Sequence, residues 1–181
     1  MPTLLDQLAG GHPSTIGRAH EVARQVLADR ELLDELFDGI AEDNPTIRHR
    51  SIRAVAEVSA EKPDWLAPHK DEFFQHIMAM DHWIVRANVC KILPRFPQLT
   101  AAERRRMLRW AENLLDDSSS VAKTCALDCF VRLSLAPGFS RELTQAGQYV
   151  ERSISHGDTP ALRARARKLR RMFKQIPRPT N

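Results

Sequence analysis

The stretch Asp81-His82-Trp83-Ile84-Val85-Arg86 decides how this chain is read, because it has counterparts. Asp43-Asn44-Pro45-Thr46-Ile47-Arg48 precedes it, Asp117-Ser118-Ser119-Ser120-Val121-Ala122 follows it, and Asp158-Thr159-Pro160-Ala161-Leu162-Arg163 comes last. The Asp positions lie 38, 36 and 41 residues apart. From the fourth residue after each Asp, apolar or small side chains recur at helical spacing. They are Ile47/Ser51/Val55, Val85/Val89/Leu93, Val121/Cys125/Cys129 and Leu162/Ala166/Leu169. Residues so spaced share one face of a helix. A period of this length in helical segments is the signature of a repeat architecture.

Working outward, a second helix fits before each opening. Arg30–Ala41 carries Leu32, Leu33, Leu36, Phe37 and Ile40 on one stripe, and Trp65–Ala79 carries Leu66, Phe73, Ile77 and Met78. Ala101–Leu115 and Arg141–Ser155 repeat the pattern with Met107, Leu108, Ala111 and with Leu143, Ala146, Val150. An earlier helix, about Thr15–Ala28, lacks the Asp/Arg opening. Thr100 with Glu103 makes a capping box, Thr159-Pro160 reads as N-cap then first helical residue, and Ser140 reads as an N-cap. Prolines fall near the joints; Pro94 is placed to end or kink its helix. Strict two-residue alternation is absent, so the expected class is all-α.

These openings resemble the HEAT repeat: two antiparallel helices per unit, Asp at the turn, then Val-Arg, then a small residue. The resemblance covers roughly residues 14–175. It departs from the pattern at Ala122, where Arg is expected, and in the first helix pair. It implies a right-handed α-solenoid of about nine helices: pairs at 14–41, 43–79, 81–116 and 117–155, then a closing helix at 159–175. Residues 1–13 are then an N-terminal segment, 14–176 a single repeat domain, and 177–181 a tail. Members of the family mostly act as adaptors and scaffolds. One helix pair cannot bury its apolar stripe alone, and stacking supplies the second layer.

The chain has 181 residues, 43% of them hydrophobic and 28% charged. That composition excludes disorder, and no apolar run reaches about 18 residues, so no membrane span is expected. Met1–Pro13 has neither a basic nor an apolar signal-peptide region, so cytoplasm is the default compartment. Cys90, Cys125 and Cys129 are an odd set without a CxxC pair and read as core residues rather than as disulfides or zinc ligands. No HExxH, GxSxG, GxGxxG or GxxxxGK[ST] motif is present, so no metal, cofactor or catalytic residue is expected. HEAT-like proteins include enzymes, among them an alkylpurine DNA glycosylase family and bilin lyases. Here Trp110 is followed by Ala111-Glu112-Asn113, with no Asp beside it to act on a base. His69 and His76 read as a solvated face, and each Asp-x4-Arg unit as a helix cap meeting a neighbouring Arg.

Charge is more informative. Residues 1–90 carry 9 basic and 15 acidic side chains, net −6, and residues 91–181 carry 18 and 8, net +10. In a HEAT-like stack the second helices line the concave face. The first would present Glu31, Asp34, Glu35 and Asp38, and the third Arg104, Arg105, Arg106 and Arg109. A groove graded from acidic to basic would orient an elongated protein or peptide partner. Candidate contacts are Asp34, Asp38, His76, Arg105 and Arg109. On the closing helix Arg163, Arg167, Arg170 and Lys174 form a cationic stripe, widened by Lys168 and Arg171. That stripe either caps the stack or contacts an anion, including non-specific nucleic acid.

Overall fold

A computed structural model describes residues 3–175. The described chain is all-helical, with ten α-helices and four short 3-10 segments, and no strand among the described residues. Where the sequence suggested one domain over 14–176, the chain groups into two compact units, Met1–Gln98 and Leu99–Asn181. The tail 177–181 lies outside the described residues.

In the first unit α1 is Leu4–Leu8, α2 Ala19–Ala28, α3 Leu32–Ala41, α4 Pro45–Glu61, α5 Lys70–Gln75 and α6 Trp83–Ile92. α4 packs against α1, α2, α3 and α6. It is buried on several sides, through His49, Arg50, Ile52, Ala54, Val55 and Val58 among others. In the second unit α7 is Ala101–Asn113, α8 Ser120–Ser134, α9 Ser140–His156 and α10 Pro160–Gln175. α8 takes the corresponding place, packed against α7, α9 and α10. Each fully buried Leu, Ile or Phe contributes roughly 1.5–3 kcal/mol. The stripes expected from periodicity supply them: Leu36, Phe37 and Ile40 on α3, Met107, Leu108 and Ala111 on α7, Leu162, Ala166 and Leu169 on α10.

The helix openings share a register that the Asp residues do not mark. Asn44 Oδ1 accepts from Thr46 N at 2.9 Å, His82 Nδ1 from Ile84 N at 3.2 Å, Ser119 Oγ from Ala122 N at 3.3 Å, and Thr159 Oγ1 from Leu162 N at 3.2 Å. These are the N-caps. Asp43, Asp81 and Asp158 stand one residue before them, and Asp117 two residues before, where its Oδ1 accepts from Ser119 N at 2.7 Å. The extra residue at the third opening shifts the core. Val121, expected inside, is 48% exposed, while Ala122 is 0% exposed.

Aligned on the caps, Ile47, Val85, Ala122 and Leu162 are equivalent, and so are Arg48, Arg86, Lys123 and Arg163. The cation that the third opening seemed to lack is Lys123. Arg48 donates to Glu42 O, Arg163 to Gly157 O, and Arg86 pairs with Asp81 in its own loop. Lys123 reaches forward to Asp158 of the next opening at 2.5 Å. Both side chains keep contact with water, so the pair adds little to stability.

Other boundaries differ for local reasons. The helix expected at Trp65–Ala79 is a 3-10 segment Pro63–His69, then α5, then 3-10 turn Ile77–Ala79. Pro63 and Pro68 lack the amide that an unbroken α-helix would use, yet Leu66, Phe73 and Ile77 are still buried. α6 ends at Ile92, just before Pro94. Ser140 is the first helical residue of α9 rather than its cap, which is Phe139. The Thr100/Glu103 capping box forms as expected. Residues 4–8 form a helix with its own box, Thr3 and Asp6, and Glu35 accepts from Leu4 N at 2.8 Å. Glu35 therefore fastens α1 to α3 instead of facing outward with Asp34 and Asp38.

Arg50 holds the loop between α1 and α2. Its guanidinium is buried and donates to Leu8 O and Gly10 O at 2.7 Å each, and to Thr15 Oγ1 at 2.8 Å. Gly17 has φ +52 and lies against this group; a Cβ there would come within 2.4 Å of Arg50 Cζ. Hydrogen bonds to a buried charge are worth about 1.5–3 kcal/mol. Arg50→Ala is expected to lower unfolding free energy by at least about 3 kcal/mol, and Gly17→Ala to destabilise as well, both read from urea midpoints. An Arg50→Ala protein as stable as the parent would show that the loop does not depend on this anchor.

Candidate functional site

Two of the sequence-derived binding residues come together in the second unit. The capping box starts α7 at Ala101, which places Arg105 and Arg109 one turn apart on its exposed side. α9 brings Arg141 to the same place, a residue for which the sequence carried no signal beyond its charge. The three line a cleft of about 210 Å³ with Leu108, Phe130, Glu112, Glu142 and Gln145. Arg105 lies over the Phe139 ring at 5.4 Å. Arg104 turns inward instead: it donates to Leu133 O at 3.3 Å, lies over Phe139 at 5.8 Å, and burial lowers its pKa.

Of the two acids in the wall, Glu112 is already engaged. Glu112 Oε1 accepts from Gln145 Nε2 at 2.6 Å and from the Tyr149 hydroxyl. Tyr149 packs edge-on against Phe130 at 5.3 Å, and burial, then the Glu112 hydrogen bond, pushes its pKa up. With Glu112 held by two donors, the three guanidinium groups outnumber the remaining carboxylate, Glu142. Guanidinium forks match carboxylate and phosphate oxygens bidentately.

The remaining candidates are placed differently. Asp34 and Asp38 are exposed on α3, and His76 is exposed after α5; all three belong to the first unit. His69 is not the solvated residue expected. It stacks on Phe37 with centroids 3.6 Å apart, and Nε2 lies 3.3 Å from Asp34 Oδ1. The α10 stripe is partly spent: Arg163 is tied to Gly157 O, and Arg170 lies 3.6 Å from Glu151. Arg167 is exposed, and the side chain of Lys174 lies outside the described residues. Cys90 and Cys129 are buried, Cys125 is half-buried, and none of the three is in a disulfide. No cluster of three or more potential metal ligands occurs among the described residues, and none of their helices is long and apolar enough to cross a membrane.

The sequence did not foresee the pairing of His49 and His82, whose rings stack at 3.9 Å. Burial, with His82 next, lowers the His49 pKa to about 4, and burial, then Arg86 and Arg48, lowers that of His82. The folded state disfavours both protons. Stability is therefore full above the ordinary histidine value near 6.5 and falls as pH drops from there to about 4. A pH series of urea midpoints should show this decline, and His49→Gln should flatten it. An unchanged slope in the variant would contradict the assignment. Compared with known proteins, the chain matches no family model, no curated protein and no solved structure.

Proposed function

We propose that the chain is a non-enzymatic adaptor of HEAT-repeat type, holding a protein or peptide partner through the concave face of the stack, with the α7–α9 cleft as a principal contact. The observation that carries this reading is the arrangement of Arg105, Arg109 and Arg141 around Phe130, beside a Glu112 already satisfied by Gln145 and Tyr149. An acidic side chain seated there gains charge-assisted hydrogen bonds from the guanidinium groups.

The repeat part of the reading is supported by the common register of the caps Asn44, His82, Ser119 and Thr159, each with a cation four residues on, and by the central places of α4 and α8. The non-enzymatic part is supported by a lining that supplies recognition groups. The acidic residues Asp34 and Asp38 suit basic segments of a partner, and the charge imbalance between the two halves of the chain suits an oriented encounter.

Affinity capture from the native cell, at moderate and at high salt, tests the proposal. A recurrent protein partner should be retained by the parent chain and lost, by at least about tenfold, when Arg105→Glu and Arg109→Glu are combined. Both residues are exposed, so circular dichroism should show unchanged helicity. Capture that survives the double reversal would remove the cleft from the account.

A further inference from the structure

We propose that a second cleft, between α8 and α10, docks an acidic peptide segment carrying one apolar anchor side chain. The cleft measures about 350 Å³. Its cations are Arg132, Arg165, Lys168 and Arg171, and Leu169 and Met172 give it apolar lining. It is separate from the α7–α9 cleft. Phe130 lines that one, whereas Asp128 and Arg132 line this one. Two residues along a helix is a rotation of about 200°, so the two clefts open on opposite flanks of α8.

Charge sets the occupant's sign. Asp128 is the acid of the lining, and it is already shared by Arg132 Nε at 2.6 Å and Arg165 Nη1 at 3.5 Å. Lys168 and Arg171 are exposed on a helix that contains no acid. Four cations against one engaged carboxylate leave the cleft electropositive, and exposed cations of this kind speed encounter with an acidic partner.

The apolar lining separates a peptide from a nucleic acid. A phosphate backbone asks for a continuous cationic track, and its bases ask for exposed aromatic faces. Here the cations surround Leu169 and Met172, and among the described residues no aromatic side chain lines the cleft. The neighbouring stripe on α10 is interrupted where Arg163 and Arg170 turn to Gly157 O and Glu151. Methionine is unbranched and polarizable, and accepts apolar side chains of varied shape. An apolar residue flanked by Glu or Asp fits both features at once.

The test uses the full chain and a short fluorescent peptide of Glu and Asp around a single Phe, read by anisotropy. Binding is expected to fall at least about tenfold when Lys168→Glu and Arg171→Glu are combined. It should also fall about threefold or more when the peptide's Phe is replaced by Ala, or when Met172→Ser is introduced. A single-stranded oligonucleotide of equal charge should bind more weakly than the peptide. The Arg105→Glu, Arg109→Glu protein should bind the peptide as the parent does, which keeps this proposal distinguishable from that for the α7–α9 cleft. Lys168 and Arg171 are exposed, so their variants retain the parent's helicity by circular dichroism. No peptide binding, tighter binding of the oligonucleotide, or indifference to both Phe and Met172 would each overturn the proposal. Loss of peptide binding in the Arg105→Glu, Arg109→Glu protein would also overturn it, by moving the peptide to the other cleft.

Discussion

A helix buried on several sides has to be surrounded, and two helices of this chain meet that condition. α4 buries Arg50, Ile52, Val55 and Val58, and α8 buries Ala122, Ala126, Leu127, Phe130 and Val131, each helix packing on several others. Neither can lie on the outside of its unit. α2, α3, α7, α9 and α10 are amphipathic, with one stripe to bury, and α4 and α8 provide what they bury it against. The polar features follow. Arg50 can reach the carbonyls of the loop after α1 because α4 is central, and both clefts of the second unit open beside α8 because α7, α9 and α10 pack on its different sides.

Much of the helical layout was legible because apolar spacing reports directly on burial. α3, α7, α9 and α10 fall where the 3.6-residue period puts them, and Leu66, Phe73 and Ile77 are buried even though Pro68 breaks their helix into shorter pieces. Register was harder. Aspartate looked like the cap at Asp43 and Asp81 because it recurs, but the capping atoms there belong to Asn44 and His82, and to Ser119 at the third opening, whereas Thr159 caps the fourth as its Thr-Pro sequence indicated. A one-residue difference at Asp117 then put Val121 outside and Ala122 inside. Only backbone hydrogen bonds reveal which polar residue near a helix start accepts.

The candidate site was legible in part for a related reason. Arg105 and Arg109 share a helix, so their common face follows from spacing alone. Arg141, Phe130 and Gln145 join them from other helices, and no local rule brings these together. Charges were likewise visible as residue types but not as partners. Glu35 caps α1, Arg104 turns to Leu133 O, and Arg163 and Arg170 are engaged within the unit. Meanwhile Lys168 and Arg171, which first looked like the margin of a stripe, stand at the rim of a cleft with Met172.

The dependence of each unit on one surrounded helix can be measured by native-state hydrogen exchange followed by mass spectrometry. Amides of α4 and α8 should be the slowest to exchange in their units, with α1, α5 and the end of α10 exchanging first, since protection tracks local stability. Exchange in α4 or α8 as fast as in those peripheral helices, while α3 or α9 stays protected, would contradict the account.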